Sequence, residues 1–557
     1  MQSPDFVAGS PRLGDSPRSD TALAQAWRQR LLDPQGLRQD FAQRLAEVEG
    51  PFAFGLELGL EQPGTVLLAV DRFAIESLCY RIDGGQLRFA ARADQLADGR
   101  EIDPQAIYDY LYFHVIPSPR TIFRDVLRLP AGHYALWRDG RLTVAPYWVP
   151  RFEPRPPASF EQARDEFRQI LHAAVEKQLD GSKPATFLSG GTDSSTIAGM
   201  VGQVAGRPAA TYSIGFEAEG YDEMEFARIA ARHFRTEHHE YYVTPVDLVR
   251  SIPAVASHYD QPFGNSSALP AYYCARMARE DGVSRILAGD GGDELFGGNT
   301  RYAKQKVFGA YDEVPAPLRH GLLEPLLDRP WAHKAPLLRK AASYISQARV
   351  PMPDRLQTYN QLERLGVTEV LSAEFLQQVE RGAPQAQQRA VWAQAQTSDL
   401  VDRMLAFDWR YTLAECDLPK VCGTTRLAGL SVGFPMLDEG LLAFSQRLPA
   451  DYKVKGLSLR WFFKEALRGF LPDEIITKKK QGFGLPFGVW ATRDAALKTL
   501  AADSVESLVA RGLVRPEFAR SLLSERLAEH PGYYGEMIWI LMMLEQWLRA
   551  HAPDYRV

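Results

Sequence analysis

FLSGGTDSSTIAGM (residues 187–200) joins an apolar run to a helical pattern through a turn of glycines, hydroxyls and one carboxylate. Gly190 and Gly191 let the backbone turn tightly and come close to a ligand. The N–H groups exposed there and at the helix start, reinforced by the helix dipole, favour an anion. Ser189, Ser194 and Ser195 add hydroxyl donors. No lysine stands where a Walker A loop needs one, so the loop suits pyrophosphate rather than a transferring γ-phosphate. An ordinary strand-to-helix turn capped by Asp193 accounts for SGG alone, but not for SGGTDSS after an apolar strand.

Working outward, residues 163–179 carry a helical period and 185–188 form a compact strand. Further strands are predicted at 211–216, 239–243 and 285–288, with helices at 223–234 and 245–258. Strands spaced by helices indicate an α/β fold built on a doubly wound parallel sheet. Ligands of such sheets sit at the carboxyl ends of the strands. LAGDGGDELFGGNTRY (287–302) follows the fourth of these strands, so Asp290 and Asp293 join Asp193 on one rim. Carboxylates converging beside a polyphosphate have a clear use, which is to hold Mg²⁺. Beyond residue 300 the chain reads as mostly helical.

The first 150 residues are β-rich, with short runs at 51–60, 65–71, 78–82 and 86–91. A Pro-rich stretch at 146–157 reads as a linker. Two domains are therefore predicted, 1–150 and 155–550. Of 557 residues, 45% are apolar and 24% charged, and the net charge of −5 offers no basic surface for nucleic acid. The apolar run 537–544 falls far short of the ~20 residues that span a bilayer and reads as a buried helix. Residues 1–20 lack a signal-peptide pattern, so the predicted compartment is the cytoplasm. Four cysteines make no disulfide framework, and Cys416 and Cys422 have no nearby histidines to complete a zinc site. Cys274 lies in an apolar helical stretch and reads as core.

Together these residues resemble the asparagine synthetase family, whose synthetase domain carries SGGxDSS and SG(D/E)GxDE(L/V)FGG loops. YDEMEFARIAARHF (221–234), DQPFGNSSALP (260–270), VGFPMLD (432–438) and KKKQGFGLP (478–486) agree with it. The resemblance implies an ATP-pyrophosphatase that makes an acyl-adenylate and then an amide. By position, Ser189, Gly190, Gly191, Asp193, Ser194 and Ser195 hold pyrophosphate. Asp193 and Asp293 bind Mg²⁺, and Phe187, Ile214, Ala288 and Gly289 line the adenosine site. Asp290 falls where relatives place the side chain that deprotonates or positions the nucleophile. The family's catalytic lysine is replaced: KGLSLRWFFKEAL (455–467) puts Arg460 there. Arginine's planar fork aims its donors differently. The change implies a site reshaped for another substrate, or Lys464, one turn further on, reaching in instead.

EGPFAF (49–54), LAVDRFAIESLCY (68–80), RFAARADQL (88–96) and IPSPRTIFRDVLRLPAGHYALW (116–137) resemble the later parts of the family's glutaminase domain, and SDTALAQAW (19–27) its middle. That Ntn-type chemistry needs a cysteine beside a free N-terminal amine. Here Gln2 follows Met1 and the first cysteine is Cys79, so a degenerate, packing role is predicted. The partners implied are a small-molecule or peptide carboxylate and ammonia or an amine, with a homodimer or a separate ammonia-supplying chain as further partners. An intramolecular amide, as in β-lactam synthetases or lasso-peptide cyclases, stays open beside amidation by ammonia. So does a non-catalytic nucleotide-binding homologue, although its motifs should have decayed.

Overall fold

The computed structural model describes residues 6–12, 41–57, 64–312, 314–319, 321, 324–327, 344–479 and 484–557. Its first part contains strands β1 (Phe6–Gly9), β2 (Phe52–Glu57), β3 (Val66–Val70), β4 (Cys79–Asp83), β5 (Gln86–Ala90), β6 (Leu127–Arg128), β7 (His133–Arg138) and β8 (Arg141–Pro146). They form two antiparallel sheets, β1-β2-β3-β7-β8 and β5-β4-β6. Side chains alternate across a strand. Phe52, Phe54 and Leu56 of β2 therefore pack with Leu45 of helix α1 (Phe41–Ala46). Ala53 turns the other way, toward Leu68, Tyr80 and Phe89 between the sheets.

The four strands predicted here match β2 to β5, while residues 58–60 and the 19–27 stretch lie outside the described residues. β1, β6, β7 and β8 were not predicted, and the outer two, β1 and β8, show why. Both are edge strands; β1 has only four residues, too few to show a period, and β8 is mostly exposed or half-exposed. The 146–157 stretch differs from its prediction as a linker. Tyr147 and Phe152 are buried. The N–H groups of Phe152, Glu153 and Arg155 donate to the carbonyls of Gln396, Gln446 and Arg447 at 3.4, 3.1 and 2.7 Å. Prolines between them lack a donor and keep the strap extended.

Helix α2 (Pro104–Phe113) is capped by Asp103 and α3 (Phe160–Glu176) by Ser159. There follow β9 (Ala185–Phe187), α4 (Thr192–Ala205), β10 (Ala210–Phe216), α5 (Met224–Phe234), β11 (Glu237–Val243), α6 (Pro245–His258), α7 (Ala268–Glu280), β12 (Arg285–Leu287) and α8 (Gly292–Phe296). The all-parallel sheet runs β11-β10-β9-β12-β13, with β13 at Ser431–Gly433. Strand order reverses between β9 and β12, and the turns leaving these two strands open a crevice there. The predicted doubly wound sheet is present. Its fifth strand escaped prediction because three residues, SVG, show no period.

The predicted helix at 537–544 lies within α9 (Pro531–His551), buried from Met537 to Leu548. Trp539 and Trp547 donate through their indoles to the carbonyls of Gly264 and Tyr259, both at 3.0 Å. Tyr110 of α2 donates to the Ile540 carbonyl at 2.8 Å, tying the first part of the chain to the last helix. Among the described residues, no helix is long and apolar enough to cross a membrane.

One buried ion pair anchors the segment that enters the crevice. Lys453 precedes a two-residue hairpin, β14 (Val454–Lys455) and β15 (Ser458–Leu459), which delivers Arg460. The Lys453 Nζ lies 2.7 Å from Asp402 Oδ1, both side chains essentially inaccessible, and 4.6 Å from the Phe152 ring centroid. Removing one member of such a pair strands a buried charge. Lys453→Met is predicted to cost about 3–5 kcal/mol in chemical unfolding. Lys453→Met with Asp402→Leu should cost clearly less; equal losses would mean the pair itself is unimportant.

Candidate active site

The turn after β9 takes its shape from a glycine. Gly190 has φ +70°, and a Cβ there would lie 2.4 Å from the Ala227 nitrogen and 2.6 Å from the Phe226 Cβ. The loop is thus pressed onto the start of α5, and only glycine fits. Lys478 fastens it from outside, with Nζ 3.0 Å from Glu223, 3.4 Å from the Gly190 carbonyl and 4.3 Å from the Phe226 ring centroid. Inside the loop, the Ser189 N–H donates to Ser194 Oγ at 3.1 Å, and the two hydroxyls lie 3.0 Å apart. Helix α4 begins at Gly191 with no side-chain cap. Asp193 is therefore not the helix cap of the alternative reading, and the start of a 14-residue helix, whose dipole favours an anion, borders the cleft.

The turn after β12 comes against this loop. A Cβ on Gly292 would lie 2.3 Å from Asp193 Oδ1, so the close approach of the two loops requires glycine. Asp193 and Asp293 converge on one atom: Arg460 Nη1 is 2.6 Å from Asp193 Oδ2 and 3.0 Å from Asp293 Oδ1. Arg460 is 8% exposed and takes the left-handed conformation, φ 53° and ψ 36°. It is the N-cap of the helix at Trp461–Ala466 rather than a member of it. Burial works against its charge, but Asp193 and Asp293 outweigh this and raise its pKa. It is no surface bystander.

The crevice is a cleft of about 840 Å³. Phe187, Ser189, Gly191, Asp193, Ser194 and Ile214 line it, as do Gly289, Asp290, Asp293, Arg460 and Lys464. Lys464 does point into the site, and its pKa is lowered by burial and then by the neighbouring Arg460 charge. Gly190, Ser195 and Ala288 stand behind the lining. Ser195 and Ala288 are fully buried, and the Ala288 N–H donates to Gly433 at 2.9 Å. Their contribution is to shape rather than to contact. Cys274 is buried as predicted, donating to the Tyr212 carbonyl at 3.3 Å, yet it also borders the cleft. Residues 480–483 of the KKKQGFGLP stretch lie outside the described residues.

Thr192, Lys420 and Asp417 are among the lining residues that sequence reasoning missed. Thr192 carries a buried hydroxyl without a hydrogen-bond partner among the described residues, which suits an anionic ligand at the helix start. Lys420 and Asp417 come from the helix at Leu418–Ala428 and the residue before it. Lys420 Nζ lies 2.9 Å from Asp417 and 3.7 Å from Asp290. The ECDLPKV run (415–421) resembles an ordinary helix start, and only its fold-level position beside Asp290 marks it. Burial pushes Asp290 up to about 6, Lys420 opposes this, and Asp417 adds to it. The carboxylates and Arg460 supply the hard oxygens a divalent cation uses and the positive charge a phosphate uses.

The asparagine synthase family model matches residues 166–549, and a glutamine amidotransferase domain model matches residues 38–148. The chain belongs to the asparagine synthase family. A relative, "Asparagine synthetase [glutamine-hydrolyzing] 1" of Bacillus subtilis (strain 168), is 23% identical over 86% of this chain and 74% of its own length. "Putative asparagine synthetase [glutamine-hydrolyzing]" of Mycobacterium bovis is 28% identical over 90% of this chain and 77% of its own. Like other members of the asparagine synthase family, this chain is an ATP-dependent carbon–nitrogen ligase.

The Lys420 charge yields a signed prediction. A base at Asp290 works only when ionised, so if this carboxylate is the base, turnover should fall as pH drops through about 6. Lys420→Met removes the cation that favours the carboxylate, so the acid limb should move to higher pH. A limb that stays in place would show that Asp290 is not the titrating group.

Proposed function

We propose that the cleft adenylates a carboxylate, releases pyrophosphate, and passes the acyl group to ammonia or an amine that does not come from glutamine hydrolysis by this chain. The observation that carries the reading is the meeting of two glycine-rich loops at the switch point of the sheet. There an uncapped helix start faces a pair of carboxylates and a buried arginine. Ser189, Gly190, Gly191, Asp193, Ser194 and Ser195 shape and line the pyrophosphate end. Phe187 and Ile214, with Gly289 and the buried Ala288, border the adenosine end. Asp193 and Asp293 are the residues that would hold Mg²⁺, which supplies charge neutralisation on the phosphates when bound.

A carboxylate oxygen attacks the α-phosphorus and the bond to pyrophosphate breaks. The nitrogen then attacks the acyl carbon, the bond to AMP breaks, and the nitrogen's proton passes to Asp290. Arg460 and Lys464 face the negative charge that develops in either step.

The state of the thiols supports a nitrogen source outside this chain's own glutamine chemistry. All four cysteines are unpaired, and burial raises every thiol pKa, that of Cys416 to about 12. None offers a thiolate nucleophile near neutral pH. Unpaired thiols also suit the cytoplasm. We divide the chain into a glutaminase-like packing domain at 1–150 and a synthetase domain at 155–550.

The test is pyrophosphate release across a panel of carboxylic acids, each with ammonia, an amine or glutamine. One acid should drive release, with amide formed from ammonia or an amine (its own or an added one) but not from glutamine. Asp293→Ala should lower the rate on the order of a hundredfold or more while the circular dichroism spectrum is kept. Glutamate production from glutamine would overturn the nitrogen assignment, and unchanged release in Asp293→Ala would overturn the carboxylate's role.

A further inference from the structure

Two carboxylates meeting in a mostly buried cleft repel each other and need a cation between them. In this chain the cation is built in. The Arg460 Nη1 is shared by Asp193 and Asp293 at 2.6 and 3.0 Å. We infer that Arg460 is the resident counter-ion of this pair, so the nucleotide-free cleft holds a free divalent cation only weakly and metal enters together with nucleotide. The inference rests on the cleft being a nucleotide site and adds an order of events to it.

Several features hold the guanidinium in place. The Arg460 backbone is fixed at both ends, its N–H donating to Gly297 at 3.2 Å and its carbonyl accepting from the Lys464 N–H at 2.9 Å. Its left-handed conformation is one that side-chain-bearing residues rarely adopt, so the surrounding contacts must impose it. The stem runs over Gly298, where a Cβ would lie 3.0 Å from the Arg460 Cδ. The hairpin that delivers it is anchored by the buried Lys453–Asp402 pair.

The guanidinium still has something to offer a ligand. Its Nε–H is buried and has no hydrogen-bond partner among the described residues. A guanidinium presents five donors in a rigid fork, which lets it hold carboxylates with one edge and a phosphate oxygen with another. A lysine ammonium, being a point charge, would not divide its donors this way. Incoming phosphate oxygens compete with the carboxylates for the fork and loosen its hold on Asp193 and Asp293. Those oxygens are then released to a metal that arrives already bound to the phosphates.

The probe is Mn²⁺ alone, titrated into nucleotide-free protein and followed by the electron paramagnetic resonance of the free ion. Wild-type protein should bind Mn²⁺ weakly. Arg460→Ala should open a site at least about tenfold tighter, and Arg460→Ala with Asp293→Asn should lose it again. Arg460→Gln, which keeps more of the stem's packing, serves if the alanine variant unfolds. Mn²⁺ should raise the melting temperature of either neutral variant but not of wild type. Wild-type protein binding Mn²⁺ as tightly as the Arg460 variants would overturn the inference, as would a folded Arg460 variant that gains no site. ATP binding in the presence of Mg²⁺, measured by calorimetry on the same wild-type protein, separates the two ideas. Its absence would undo the nucleotide reading whatever Mn²⁺ does.

Discussion

Two acidic side chains cannot stand together beside a phosphate loop unless something positive lies between them, and in this fold that is the side chain of Arg460. It binds the loop after β9 to the loop after β12, across the point where the strand order reverses. Without it, Asp193 and Asp293 would push the loops apart at the place where glycine at 292 has let them touch. At an effective dielectric near 20, two unit charges 4 Å apart interact by about 4 kcal/mol, enough to decide whether the crevice stays closed. The geometry of the cleft is therefore coupled to one hairpin.

That hairpin depends on parts of the chain far away in sequence. Lys453 holds it through Asp402, and the Phe152 ring lies over the lysine. Phe152 belongs to the strap that leaves the first part of the molecule, so that part contributes to the cleft mechanically. Helix α9 closes the other side, hydrogen-bonded to both halves through Tyr110, Trp539 and Trp547. Burying such large side chains contributes on the order of 3–5 kcal/mol each relative to alanine.

Much of this was legible because loops that cradle phosphates need glycine, hydroxyls and carboxylates at fixed spacing. SGGTDSS and GDGGDE announce themselves on these grounds, and the helical spacers between strands announce a parallel sheet. What escaped has physical reasons. β13 and the β14–β15 hairpin are too short for a period to emerge, and β8 is an exposed edge. Thr192 and Lys420 are commonplace in a helix start, and only their tertiary positions make them part of the site. Arg460 was visible as a departure from the family pattern, but the sequence could not say that its guanidinium would fill the space between the two predicted metal ligands. The proline-rich strap looked like a linker because its hydrogen bonds run to segments about 240 to 300 residues away.

The central claim is that this cleft activates a carboxylate by joining it to AMP. The direct measurement uses the acid that drives pyrophosphate release, prepared with ¹⁸O in both carboxylate oxygens, and mass spectrometry of the nucleotide product. Attack of a carboxylate oxygen on the α-phosphorus predicts AMP carrying one ¹⁸O from the acid for each amide formed. Formation of ADP with label in inorganic phosphate, or AMP without label, would contradict it.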